Sequence, residues 1–138
     1  MMTPQIIQNI DLWKQSDFKS QYFRRFLENT DYVLCSVSAA EYLGLCNWTA
    51  DPKTYVLTKA YCMEKHIAID SKNGLYFTTV NQTINDLLAD TEMDEQVILE
   101  SLADQYYKNA YADLHILEEN QAAFEYFKPM AEAYYTYE

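Results

Sequence analysis

The sequence predicts an α+β domain: two N-terminal helices, a small, mostly antiparallel central sheet with one short helix, and an acidic C-terminal helical bundle. Three observations predict it. Runs rich in β-branched and aromatic residues, bounded by turn residues, fall only between residues 32 and 79. Apolar residues return at helical spacing on both sides of that stretch. Only two Gly and three Pro occur in 138 residues, too few for a turn-rich all-β fold or a phosphate-cradling loop. One domain, 1–138, is expected, with a helical lead over 1–30, a sheet region over 31–79 and acidic helices over 80–138.

Thr3 followed by Pro4 suits a helix start, and Ile6, Ile7, Ile10 and Trp13 follow at helical spacing. Ser16 is placed to cap a second helix with an apolar stripe of Phe18, Tyr22, Phe23 and Phe26, which exits at Asn29 and Thr30. Tyr32–Cys35 then predicts a short buried strand. Ser38-Ala39-Ala40-Glu41 has the spacing of a capping box, opening a short helix that Gly44 terminates. Trp48–Lys53 is a loop holding Asp51-Pro52.

Three β-rich runs follow: Tyr55–Thr58, Tyr61–Met63 with His66–Ile69, and Leu75–Thr78. Asn73-Gly74 between the last two is the strongest hairpin signal in the chain. Beyond Thr79 the period becomes helical through Ile84, Leu87 and Leu88. A longer helix is expected over Asp94–Lys108, with Val97, Ile98, Leu102 and Tyr106 inward. Further helical stretches are expected at Leu114–Leu117 and from about Asn120 past Phe124 and Phe127 to Pro129 or beyond. The tail Tyr134–Tyr137 fits no single element.

The charge is segregated. Residues 1–85 carry eight acids and eight bases; residues 86–138 carry thirteen acids against Lys108 and Lys128, so the whole net charge of −11 lies in the last 53 residues. A field of that sign repels phosphate backbones, which excludes direct nucleic-acid binding by the C-terminal half and favours a basic protein partner. The plainer alternative is a solvated helical face that keeps the protein soluble. On the outward faces of these helices the candidate partner-binding residues are Glu100, Asp104, Glu118, Glu119 and Glu125, with Tyr107 and Tyr111 as aromatic anchors.

Catalytic chemistry is not expected. His66 and His115 are the only histidines, and neither has a second ligand at usable spacing, so no metal or other cofactor is implied. Carboxylate pairs such as Asp90 with Asp94 and Glu100 with Asp104 read as solvated helix faces. Cys35, Cys46 and Cys62 are odd in number and lack Cys-x-x-Cys spacing, which fits buried free thiols in a reducing cytoplasm. No apolar run approaches a membrane span, and Met1–Gln5 lacks the basic and apolar regions of a secretory signal. A cytoplasmic protein is therefore expected, with homodimerisation through its Tyr-rich surface as an option.

Two segments resemble a known family. Tyr32-Val33-Leu34-Cys35-Ser36-Val37-Ser38-Ala39-Ala40-Glu41-Tyr42-Leu43-Gly44-Leu45 is similar to the strand and "SALE-hGL" helix of AbiEi-type antitoxins, which belong to abortive-infection, type IV toxin–antitoxin systems. Leu75–Leu88 resembles the strand and "x-x-T-hhDhh" helix of the same effector domain. The likeness spans about residues 30–108 and picks out Ser38, Glu41, Gly44, Thr83 and Asp86, all expected to be structural. Family members usually begin with a DNA-binding winged helix-turn-helix; residues 1–30 are short for one and carry only Lys14, Lys19, Arg24 and Arg25 as a basic group. The resemblance implies a non-enzymatic antitoxin-like protein acting through contact with a toxin or nuclease. An acidic nucleic-acid mimic, inhibiting a restriction or CRISPR nuclease, is the alternative.

Overall fold

The computed structural model describes residues 3–48 and 52–134. Its architecture is α+β, with a five-stranded mixed sheet, one face of which packs against the N-terminal helices, and a C-terminal helical end. Strand β1 (Gln5–Ile7) is followed by helices α1 (Ile10–Gln15) and α2 (Lys19–Leu27), strand β2 (Tyr32–Leu34) and helix α3 (Ser36–Tyr42). Strand β3 (Thr54–Thr58), helix α4 (Lys59–Glu64) and the hairpin β4 (Ile69–Lys72) and β5 (Leu75–Thr78) complete the sheet region. Helices α5 (Val80–Ala89), α6 (Glu95–Asn109) and α7 (Gln121–Glu132) form the C-terminal end.

The strand order is β1-β3-β2-β5-β4, and only the β2–β5 pair is parallel. In the hairpin, Lys72 faces Leu75, leaving Asn73 (φ 53°) and Gly74 (φ 82°) as a two-residue turn with both centres left-handed. The hairpin tip docks on the exit of α2, where Asn29 N donates to Gly74 O over 3.0 Å. A Cβ on Gly74 would lie 2.5 Å from Asn29 Oδ1 and displace that side chain, which adds to the demand that the positive φ makes for glycine.

Several local expectations are corrected. Gln5–Ile7 is an edge strand paired with β3 rather than the first turn of a helix; α1 starts later, capped by Asn9, whose side chain accepts from Leu12 N. Ser16 ends α1 instead of capping α2, which begins after Phe18 with Phe18 exposed. Tyr61–Met63 is helical, because Thr58 caps α4 by accepting from Tyr61 N. Leu114–Leu117 forms no helix but an extended strap leading into a 3-10 turn at Glu118–Asn120. Asp51 and residues 135–138 lie outside the described residues. Gly44 does follow the end of α3, with φ 76°, and α7 runs through Pro129 to Glu132.

Two polar devices join the layers. Lys19 of α2 and Glu41 of α3 form an ion pair of 2.8 Å, with 2% and 1% of their side chains exposed. Lys19 Nζ also lies 5.5 Å from the ring centres of Trp13 and Phe23. At the other end, two asparagines one turn apart on α5 hold the strap. Asn81 donates to Asp113 O and accepts from His115 N; Asn85 donates to His115 O and accepts from Leu117 N. Asn120 then donates to Asn85 Oδ1 over 2.9 Å, so one side chain positions both the strap and the start of α7.

Breaking a buried ion pair leaves an uncompensated charge, so Lys19→Met should cost roughly 3–5 kcal/mol in urea unfolding, and adding Glu41→Leu should recover most of it. Asn85→Ala leaves several buried groups without partners, and a loss of roughly 2–4 kcal/mol is expected in the same measurement.

Candidate functional site

Four of the five family-motif residues have complete structural tasks. Ser38 is buried inside α3 and its Oγ accepts from Tyr55 N over 2.9 Å, stitching the helix to β3. Glu41 is committed to Lys19, so the two residues do not form the capping box expected from their spacing; α3 begins after Cys35, three residues earlier than that motif requires. Gly44 supplies the left-handed turn after α3. Thr83 Oγ1 lies 2.6 Å from Thr78 Oγ1 and 3.3 Å from Thr78 O, pinning α5 to the end of β5.

Asp86 differs. Gln82 Nε2 donates to its Oδ1 over 2.9 Å, while Oδ2 is buried and has no hydrogen-bond partner among the described residues. Burial pushes its pKa up to about 6, and the Gln82 bond pulls it back only in part. The carboxyl lines a cavity of about 360 Å³ whose described walls are Pro4, Ser36, Asp86, Ala89, Asp90, Thr91 and Glu92. Ser36, at the start of α3, has a left-handed backbone with φ 53°. A cavity holding a carboxyl of raised pKa was not legible in the sequence, because the burial of Asp86 comes from α3 and the N-terminal segment, both remote along the chain.

The cysteines are buried and free. Burial raises the Cys35 thiol, assisted by the charges of Asp86 and Cys62, and raises Cys46 to about 12. Both remain protonated thiols at neutral pH, which removes them as nucleophiles. Among the described residues, no group of three or more His, Cys, Asp or Glu is arranged to hold a metal ion.

The acidic end is less uniform than its charge suggests. Glu100 is buried, not outward: its Oε2 accepts from Asn47 N over 2.7 Å and its Oε1 from Gln96 Nε2 over 3.0 Å, clamping the loop after α3 onto α6. Asp104 is half-buried and accepts from Gln105 Nε2. Tyr111 is half-buried, edge-on to Phe124 at 5.3 Å, and donates to Glu132 Oε2 over 3.4 Å. Tyr107 is exposed, but its hydroxyl donates to Glu132 O over 2.6 Å, so the two tyrosines tie α6 and the turn that follows it to the end of α7.

Glu118, Glu119 and Glu125 are exposed, as expected. They flank residues that the sequence reading passed over. Ala122, Tyr126, Pro129 and Met130 form the outer face of α7, with Tyr126 64% and Met130 40% exposed. Glu125 edges that stripe on one side, and Glu118 and Glu119 lie in the 3-10 turn just before α7. The inward Phe124, Phe127 and Ala131 had masked the pattern, because an apolar residue at helical spacing looks like core until its angle about the axis is known.

Compared with protein-family models, curated proteins and solved structures, the chain matches none.

Folding raises the Asp86 pKa, so the native state favours the protonated form. That contribution is complete below the ordinary aspartate value of 3.8 and is lost as pH rises through about 6. Asp86→Asn should therefore stabilise the protein by up to roughly 3 kcal/mol at pH 7.5 and by nothing at pH 3.5, read from urea unfolding at each pH.

Proposed function

We propose that this chain is a non-enzymatic, antitoxin-like protein of a bacterial or phage defence system that acts by contact with a basic protein, a toxin or nuclease. The observation that carries the reading is the outer face of α7, where exposed Tyr126 and Met130 share the helix with exposed Glu125 and follow a turn carrying exposed Glu118 and Glu119. An aromatic and methionine stripe edged by acids suits a partner with an apolar seam and flanking Lys or Arg, because the rim charges steer the encounter while the apolar residues hold it. Segregation of the whole net charge into the last 53 residues adds long-range attraction of the same sign. The resemblance of residues 32–45 and 75–88 to AbiEi-type antitoxins supplies the toxin–antitoxin context.

Two features weigh against the other readings. A nucleic-acid mimic needs acids spread as phosphates are, whereas apolar side chains occupy the middle of the α7 face. An enzyme needs a nucleophile or base beside Asp86, and among the described residues its hydrogen-bond donor is Gln82.

The test is a pull-down from lysate of the source organism at low salt, eluted by a salt gradient and identified by mass spectrometry. A basic toxin or nuclease leaving at moderate salt, with affinity lost at least tenfold in Glu118→Lys/Glu125→Lys, is the expected result. Binding that ignores salt would sink the reading, and displacement by added DNA would select the mimic instead.

A further inference from the structure

Helix α7 is apolar on two sides. Phe124, Phe127 and Ala131 bury the inner one, while Tyr126, Pro129 and Met130 stand exposed on the other. A helix apolar on both faces has something to cover each of them. The outer face is also held still before anything binds: Glu132 O accepts from the Tyr107 hydroxyl and Glu132 Oε2 from that of Tyr111, which fixes α7 on the preceding helix and its turn. Lys128, the one base of α7, folds back to lie 5.9 Å from the centre of the Phe124 ring. Glu125 on the outer edge has no ion-pair partner among the described residues.

The relief and the charge of this face set the chemistry of its occupant. A helix offers no free backbone ladder, so a strand cannot add to it and recognition runs through side chains. Ala122, Tyr126 and Met130 form one row at intervals of four residues, and Glu125, Pro129 and Ala133 form the next. The groove between two such rows is what the i±4 ridge of a second helix packs into. One row is apolar and the other opens on an acid, with Glu118 and Glu119 in the turn just before, so the seam is negative along one edge. Pro129 adds an acceptor to that edge: it has no N–H, so Glu125 O lacks the donor that a helix would give it. A second copy of this chain would bring the same acids and a net charge of −11 to the contact, which opposes self-association. We propose that α7 docks an amphipathic helix of its partner, with apolar residues along the seam and Lys or Arg along the edge that faces Glu125. This rests on the reading of α7 as the contact face and names the element that the partner presents to it. One helix face falls in the size class of weak, transient contacts, so micromolar affinity is expected.

The experiment is a 1H–15N NMR titration of the full chain with an acetylated, amidated peptide of about 18 residues, long enough to form a helix, with Leu on one face and Arg along one edge of it. Saturable shifts are expected at Ala122, Glu125, Tyr126 and Met130, with a gain of helix by circular dichroism. A scrambled peptide of the same composition should bind at least tenfold more weakly. Tyr126→Ala and Glu125→Lys should each weaken the patterned peptide at least fivefold, whereas Glu92→Gln, outside α7, should change it less than twofold. Absence of saturable shifts on α7 overturns the proposal. So does equal binding of the scrambled peptide, or an equal loss in Glu92→Gln, since either means diffuse attraction to the acidic surface. Concentration-dependent shifts at Tyr126 and Met130 in the chain alone mean that a second copy covers the face, and they overturn it too. Failure here is distinguishable from failure of the functional reading. A basic toxin captured through Glu118 and Glu125, yet not displaced by excess patterned peptide, removes the helix alone. Peptide binding with no toxin or nuclease captured removes the function and leaves the helix site standing.

Discussion

The ion pair between Lys19 and Glu41 is the constraint to which the rest of the fold is fitted. Both charges are taken out of water, so neither α2 nor α3 has freedom to slide: a shift of a few ångströms would leave two unpaired ions in the interior. With α3 fixed against α2, Ser38, one turn before Glu41, meets the backbone of β3, and the Trp13 and Phe23 rings close around the ammonium. Net stabilisation from such a pair is small.

The C-terminal end solves a different problem with neutral groups. An extended strap crossing a helix has no ladder to satisfy its backbone, and Asn81 and Asn85 act as that ladder, each offering a donor and an acceptor at the spacing of one helical turn. The strap is thereby held by side-chain amides, and α7 starts where Asn120 joins them. Sequence reading took Leu114–Leu117 for a helix because the apolar residues fit, and it missed the asparagines because their partners lie about thirty residues away.

Much of the fold was legible where the local signal and the tertiary demand agree. The Asn73-Gly74 hairpin, the helix following Asp94, the Gly44 stop and the strands at Tyr32 and Tyr55 all belong to this class. The failures share one cause. Ile6, Ile7 and Ile10 have helical spacing, yet pairing with β3 draws the first two into the sheet; Ser38 and Glu41 have capping-box spacing, yet burial gives each a distant partner. For the site, exposure of the outer acids followed from periodicity, while the burial of Glu100 and the unpaired oxygen of Asp86 depend on packing that no local pattern encodes.

The sheet has two free edges, closed off by different means. Along β4 the exposed Asp70 and Lys72 place charge on any chain that approaches to pair. Along β1 the exposed Ile6 offers no such deterrent, and the guard there is brevity: three residues give an incoming strand too few hydrogen bonds to stay. Growth of the sheet from one molecule into the next is thus opposed by electrostatics on one side and by a shortage of backbone on the other, and lengthening β1 would remove the second barrier.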